Sequence, residues 1–291
     1  MNTVYDDQVE ASIVNEFSTV AFRFGHSLIA SFFRGNGGWP LKFHWFEFDA
    51  FVLGRDKSGR NWFSEMQGAA EQASPSADTA MVQDVTNFLF CQTCFGFSGF
   101  GDDLAARNIQ RGRDHGIPSY NSLRTFCGLN PLSTMNEPPP EINAQDWAHL
   151  AKVYTRVDQI DGFSGGLAEQ PTDADSVVGP TFSCIIATQF KRLVEGDRFF
   201  FAHPSEGAQK QRGLKSNSRR TIQSRSLSDI ICDNTDLPDV PQRAMFHSSP
   251  SMNCADAMEL DFDEIAADIT GQQPGGECFF SLKIYELLLA V

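Results

Sequence analysis

No run of eighteen apolar residues occurs in this 291-residue chain, so the sequence offers no transmembrane span. Positive charge is scarce: 23 Lys and Arg against 37 Asp and Glu give a formal net charge of -14. That balance argues against nucleic acid or an acidic membrane surface as the main partner. Tyrosine is sparse too, with four beside 26 phenylalanines, which implies an interior filled with rings that need no hydrogen-bond partner. There is no Asn-x-Ser/Thr sequon and no internal repeat. The opening residues, MNTVYDDQVEAS, have neither a basic n-region nor an apolar h-region and do not read as a signal peptide. Seven cysteines are few for a disulfide scaffold and many for an ordinary cytosolic enzyme, so they point to an oxidising compartment. An exported interior without an export signal leads to the expectation that an upstream part of the protein lies outside this sequence.

What is present reads as helix. The expected elements are a helix over residues 12–34 closed by RGNGG, and another over 78–90 (DTAMVQDVTNFLF). Two more share GDDLAARNIQRGRDHGIPSYNSLRTFCGL, the first capped by Asp102 or Asp103 and ended by Gly116 and Pro118. A helix follows the proline-rich NEPPPE, and another starts at Pro180 in GPTFSCIIATQFKRLVEGD. The aromatic WPLKFHWFEFDAF reads as extended or irregular, and residues 203–218 as a solvated basic loop. The fold class expected is mainly α, with little or no sheet. Residues 1–262 are read as one domain and 263–291 as a C-terminal tail.

Two strings carry chemistry. In NEFSTVAFRFGHSLIASFF, a 3.6-residue period puts Phe22, His26, Ile29 and Phe33 on one face, with Arg23 a turn from His26. Such a buried imidazole is either a core histidine satisfied by backbone carbonyls or a metal ligand, and one histidine does not decide between them. In NIQRGRDHG, helical spacing aligns Leu104, Asn108, Arg111 and His115. Asparagine in mid-helix costs roughly 0.5 kcal/mol relative to alanine, so something outside the helix should compensate Asn108. The rival reading is a solvated face whose arginines pair with Asp103 and Asp114. CQTC, with Cys91 and Cys94, has the spacing of a zinc half-site or a redox pair. No second pair stands at zinc-finger distance and no βαβ pattern surrounds it, which favours a local disulfide or unpaired thiols and leaves Cys278 unassigned.

The ordered strings NEFSTVAFRFGHSLI, DVTNFLF, DLAARNIQRGRDHGIPSYNSLR, GGLAEQP, GPTFSCIIATQFKRLVEGDRFF and ICDNTDLPDV resemble the C-terminal part of the catalytic domain in the animal haem peroxidase family, from about Tyr5 to about Asp261. The resemblance implies a haem b whose iron is bound by His26 as proximal ligand. It further implies that Asn108 accepts a hydrogen bond from the other ring nitrogen and that Arg23 and Arg111 lie near the propionates. It implies bridges from Cys127 to Cys184 and from Cys232 to Cys254. The activity implied is reduction of hydrogen peroxide with oxidation of halide, phenolic or protein substrates, in the extracellular space or secretory pathway. The distal histidine and arginine, the acidic residues that esterify the haem and the calcium loop all lie upstream of the proximal segment in the family. The N-terminal half of the peroxidase domain is therefore an implied partner, and the isolated chain is expected to be inactive or weakly active. The competing expectation is a non-catalytic binding or structural module of the same fold. An RNA-binding module built on RGRDH fails on net charge and on the lack of a stacking platform. Arg107 stands where the family has leucine in DLAALNIQ, and Phe200 and Phe201 vary its aromatic cluster after GDR.

Overall fold

The computed structural model describes residues 5–31, 33–34, 40–41, 62–91, 100–174, 176–203, 214–246 and 248–270. Its longest helix, α8, is the one best announced by sequence: Pro180 at the first position presets φ, and the helix runs Pro180–Gly196. Upstream of it lie α4 (Leu104–Asp114), α5 (Tyr120–Phe126), α6 (Ala144–Val153) and α7 (Gly162–Ala168). Local chemistry sets three of these starts. Asp103, Ser119 and Asn143 each accept a backbone N–H from the first turn of α4, α5 and α6. Gly116, at φ +65°, takes the left-handed position after α4 and so ends it.

These helices enclose two adjoining cores. One gathers Phe17, Val20, Leu123, Phe163, Leu167, Phe182 and Ile185, and the other Tyr120, Ile142, Trp147, Tyr154 and Ile160. Phe182 is fully buried, worth about 1.5–3 kcal/mol for a ring of this kind. The glycines of α7 allow the close packing: a Cβ on Gly165 would stand 2.2 Å from the Tyr120 ring, and one on Gly166 2.1 Å from Phe182. Between the cores, the Glu169 carboxylate accepts from Tyr120 Oη (2.8 Å), Thr181 Oγ1 (2.6 Å) and Thr181 N (2.7 Å). Arg124, buried beside it, donates to Tyr120 Oη and to Glu141. Burial pushes the Glu169 carboxyl above the usual range, against the hydrogen bonds that pull it down. The Cys127–Cys184 disulfide ties α5 to α8, with Cα atoms 5.9 Å apart.

Further along are α9 (Ser216–Ser224), α10 (Leu227–Asp233) and α11 (Phe262–Thr270), with a third core around Ala70, Ile231, Leu237 and Val240. Asp268 of α11 accepts from Ser218 Oγ (2.6 Å) and Lys215 N (2.8 Å), which docks α11 on α9. Cys232 is bonded to Cys254 across the short ribbon β3 (Asp239–Pro241) and β4 (Ser251–Asn253), where Val240 faces Met252. A second two-stranded ribbon pairs β1 (Phe33–Arg34) with β2 (Pro40–Leu41), and these two ribbons are the sheet among the described residues. Cys91 is itself disulfide-bonded. Cys94, Cys278, His44, His247 and residues 271–291 lie outside the described residues.

Three local expectations are corrected. The helix over 78–90 shrinks to α3, Gln83–Thr86, and Phe90 adopts φ +56°. The loop expected through 218 already turns helical at Ser216, while α2 (Trp62–Glu71) and α7 carry no matching expectation. Most important, residues 12–34 are not one α-helix. An α1 of five residues, Asn15–Thr19, stops at Val20 (φ -129°, ψ -74°), and Ala21–Leu28 continues as a 3₁₀ helix. Val20 is 1 % exposed and lies close to Gly112 of α4 and Gly162 of α7, so the tertiary socket, not the local sequence, sets the break.

Candidate functional site

The tightened helix changes who shares a face. With three residues per turn, side chains at i and i+3 eclipse, so Arg23 and His26 stand one above the other. Phe22 does not join them in the interior and is 54 % exposed. His26 is half-buried rather than buried. Its Nδ1 lies 2.8 Å from Nδ2 of Asn108, which is completely buried on α4. Asn108 Oδ1 accepts from Arg23 Nη1 at 3.2 Å, and Arg23 Nε donates to Ser18 O at 3.1 Å. The mid-helix asparagine is thus compensated from outside its helix by two side chains more than eighty positions away in sequence.

This triad has a defined polarity. Guanidinium can only donate, so Arg23 fixes the amide with its oxygen outward and its nitrogen toward the imidazole. In that arrangement Nδ1 accepts and the ring proton sits on Nε2. The resemblance implied the opposite sense, Asn108 accepting from Nδ1. His26 Nε2 forms no hydrogen bond among the described residues. Burial, and then the charge of Arg23, hold the His26 pKa below the ordinary value, partly offset by the Asn108 hydrogen bond. The ring is therefore neutral near pH 7, the form that can bind a metal.

Arg111 completes the cluster. It is exposed, and its guanidinium forms no hydrogen bond or ion pair among the described residues. Burial and repulsion from Arg111 together hold the Arg23 pKa below its ordinary value. Two neighbouring cations, with no carboxylate paired to either among the described residues, are chemically suited to a dianion. The other arginines of the segment are spoken for, though not by the partners expected: Arg107 pairs with Asp102, and Arg113 with Asp161 at 2.6 Å. Asp103 is a helix cap, and Asp114 accepts from Gln110. Arg107 also stands over the exposed Phe90 ring, at 5.8 Å from its centroid.

His115, on the Asn108 face of α4, faces Asn15. Its Nδ1 lies 2.9 Å from Asn15 Oδ1, and its carbonyl accepts from Asn15 Nδ2 at 3.2 Å. In the sequence the pair shows only as two polar residues in separate motifs, a hundred positions apart. His149 is exposed, and His203 is buried with Nε2 3.0 Å from Asp197 O, so neither belongs to the His26 cluster. A cleft of about 150 Å³ is lined by Asn108 with Val20, Gly112, Ile117, Asp161 and Phe163 among others.

The residues fit an iron porphyrin: a neutral imidazole whose Nε2 has no hydrogen bond among the described residues, set beside two cations suited to a dicarboxylate. Residues 1–246 match the family model for animal haem peroxidase. The chain belongs to the animal haem peroxidase family. Among its relatives, peroxinectin A of Dictyostelium discoideum is 40% identical over 209 residues, covering 69% of this chain and 37% of that protein. Peroxidase mlt-7 of Caenorhabditis elegans is 37% identical over 238 residues, covering 80% of this chain and 30% of that protein. The chain thus spans about a third of the length of these two relatives. A shorter relative, peroxidase-like protein 3 of Lottia gigantea, is 35% identical over 263 residues, which is 89% of this chain and 81% of that one. The solved structure of peroxidase A from Dictyostelium discoideum superposes with a TM-score of 0.63 at 34% identity, over 81% of this chain and 43% of that one.

Proposed function

We propose that this chain forms the proximal side of a haem peroxidase, with His26 as the protein ligand of the iron. The observation that carries the reading is the 2.8 Å contact between His26 Nδ1 and the buried Asn108 amide, which leaves Nε2 without a hydrogen bond among the described residues. Haem b supplies the redox chemistry, reduction of hydrogen peroxide coupled to oxidation of a halide, phenolic or protein substrate. The chain's own part is to hold the ring neutral, aim Nε2, and bind the propionates through Arg23 and Arg111. Ligation through Nε2 needs the ring proton on Nδ1, with Asn108 accepting through Oδ1. Carboxylates engaging Arg23 release the amide for that turn, so anion binding and imidazole orientation are linked in one cluster.

The distal acid and base implied by the family resemblance correspond to no assigned residue here, and we assign them to the N-terminal half of a peroxidase domain acting as partner. Two disulfides, Cys127–Cys184 and Cys232–Cys254, support an oxidising compartment, extracellular or secretory. No helix among the described residues is long and apolar enough to cross a membrane. The test is reconstitution with haem: His26→Ala is expected to abolish the axial imidazole signature in Soret and resonance Raman spectra. An unchanged spectrum removes the assignment.

A further inference from the structure

The segment bearing His26 runs antiparallel to α4 and meets it at three levels. At one end Asn15 pairs with His115; in the middle Val20 packs against Gly112; at the other end His26 and Arg23 meet Asn108. Positions 15, 20 and 26 therefore face 115, 112 and 108 in order. A hydrogen bond at the His26 end alone would leave the segment free to pivot about Asn108. Its 3₁₀ backbone, with poorer internal hydrogen bonds than an α-helix, resists such a pivot weakly. The second fixed point is about 10 Å away, since seven residues of α-helix separate Asn108 from His115 at 1.5 Å each.

We propose that Asn15 and His115 are a positioning pair for the proximal imidazole: they set the tilt of the His26 segment on α4 and so the aim of His26 Nε2. The pair is two-pronged. Asn15 Nδ2 donates to the His115 carbonyl, which leaves Asn15 Oδ1 to accept from His115 Nδ1–H. The clasp also ties the His26 segment to the last turn of α4, where Gly116 ends the helix. The functional meaning rests on His26 being the iron ligand, but the mechanical coupling does not.

The experiment uses the chain without haem. Hydrogen exchange of the Asn108 side-chain amide protons is followed by NMR in the parent chain, His115→Ala, Asn15→Ala, the double variant and His115→Asn. Asparagine keeps an N–H donor where Nδ1 stands. His115→Ala, which removes the imidazole prong and keeps the backbone one, is expected to speed Asn108 exchange about threefold to tenfold, the range for losing one net hydrogen bond. Asn15→Ala, which removes both, should speed it by at least as much, and the double variant no more than Asn15→Ala alone. His115→Asn should restore the parent rate. The Asn143 amide, which donates to Asp146 on α6, is the internal control for general loosening. Parent-like Asn108 exchange in the alanine variants overturns the proposal, as does equal acceleration at Asn143. Adding haem then separates the two readings: a clasp effect on Asn108 with no axial change in His26→Ala refutes the ligand assignment and leaves the coupling intact.

Discussion

The imidazole of His26 is held in the fold by competing local forces, and their balance has a pH signature. Because its folded pKa is depressed, the unfolded chain takes up the proton first as pH falls. The neutral ring's contribution to stability is full above the unfolded value of about 6.5 and is lost as pH falls from there toward the folded value. Chemical denaturation of the haem-free chain between about pH 7.5 and 5 should show stability declining through that window, and His26→Asn should flatten the decline. An identical slope in the variant would mean that another group titrates. The same residue shows how far sequence carried the site. His26, Arg23 and Asn108 stood out as types misplaced in apolar or helical surroundings, but their mutual contact bridges more than eighty positions and follows from packing of the two segments.

Among the elements, α7 is where propensity and packing give opposite answers. Glycine in a helix interior is disfavoured by about 0.8–1.0 kcal/mol relative to alanine, so by propensity Gly165→Ala should stabilise. The structure reverses the sign: the added Cβ would meet the Tyr120 ring at 2.2 Å, within the buried Tyr120–Glu169–Thr181 network. We expect Gly165→Ala to cost about 1–3 kcal/mol or more by overpacking, read as a lowered denaturation midpoint. Gly25→Ala, whose Cβ would meet nothing within 4 Å, is the control and should be close to neutral. A stabilised Gly165→Ala would show that the close helix approach is dispensable. The glycine run GFSGGLA gave no helical signal because its reason for being helical lies in the rings it packs against.

At the scale of the whole molecule, an apolar surface flanks the His26 segment. Ile13, Phe22 and Phe190 are each at least half exposed, and Phe17 stacks on Phe22 at 4.6 Å and meets Phe190 edge-on at 6.1 Å. On the proposed reading, the chain loaded with haem should turn over peroxide far more slowly than an intact family member. A positioned general acid and base contributes about 10²–10⁴-fold to such proton transfers. Steady-state oxidation of a phenolic dye, with and without the co-expressed N-terminal half of a related peroxidase, measures this. Full activity of the chain by itself would place an unrecognised distal residue within it.

What the sequence determined by itself is what short-range chemistry controls: a cap at Asp102 or Asp103, which the structure resolves to Asp103, the start of α5 at Ser119, the start of α8 at Pro180, and the end of α4 at Gly116. Ordered motifs added the family and the cysteine pairs Cys127–Cys184 and Cys232–Cys254. Only the tertiary structure decided that the His26 segment is 3₁₀ rather than α. Val20 leaves helical geometry to fill a pocket beside Gly112 and Gly162, residues that no local window around it contains. The consequence is chemical: a period of three, not 3.6, sets Arg23 directly over His26, where one buried amide reaches both.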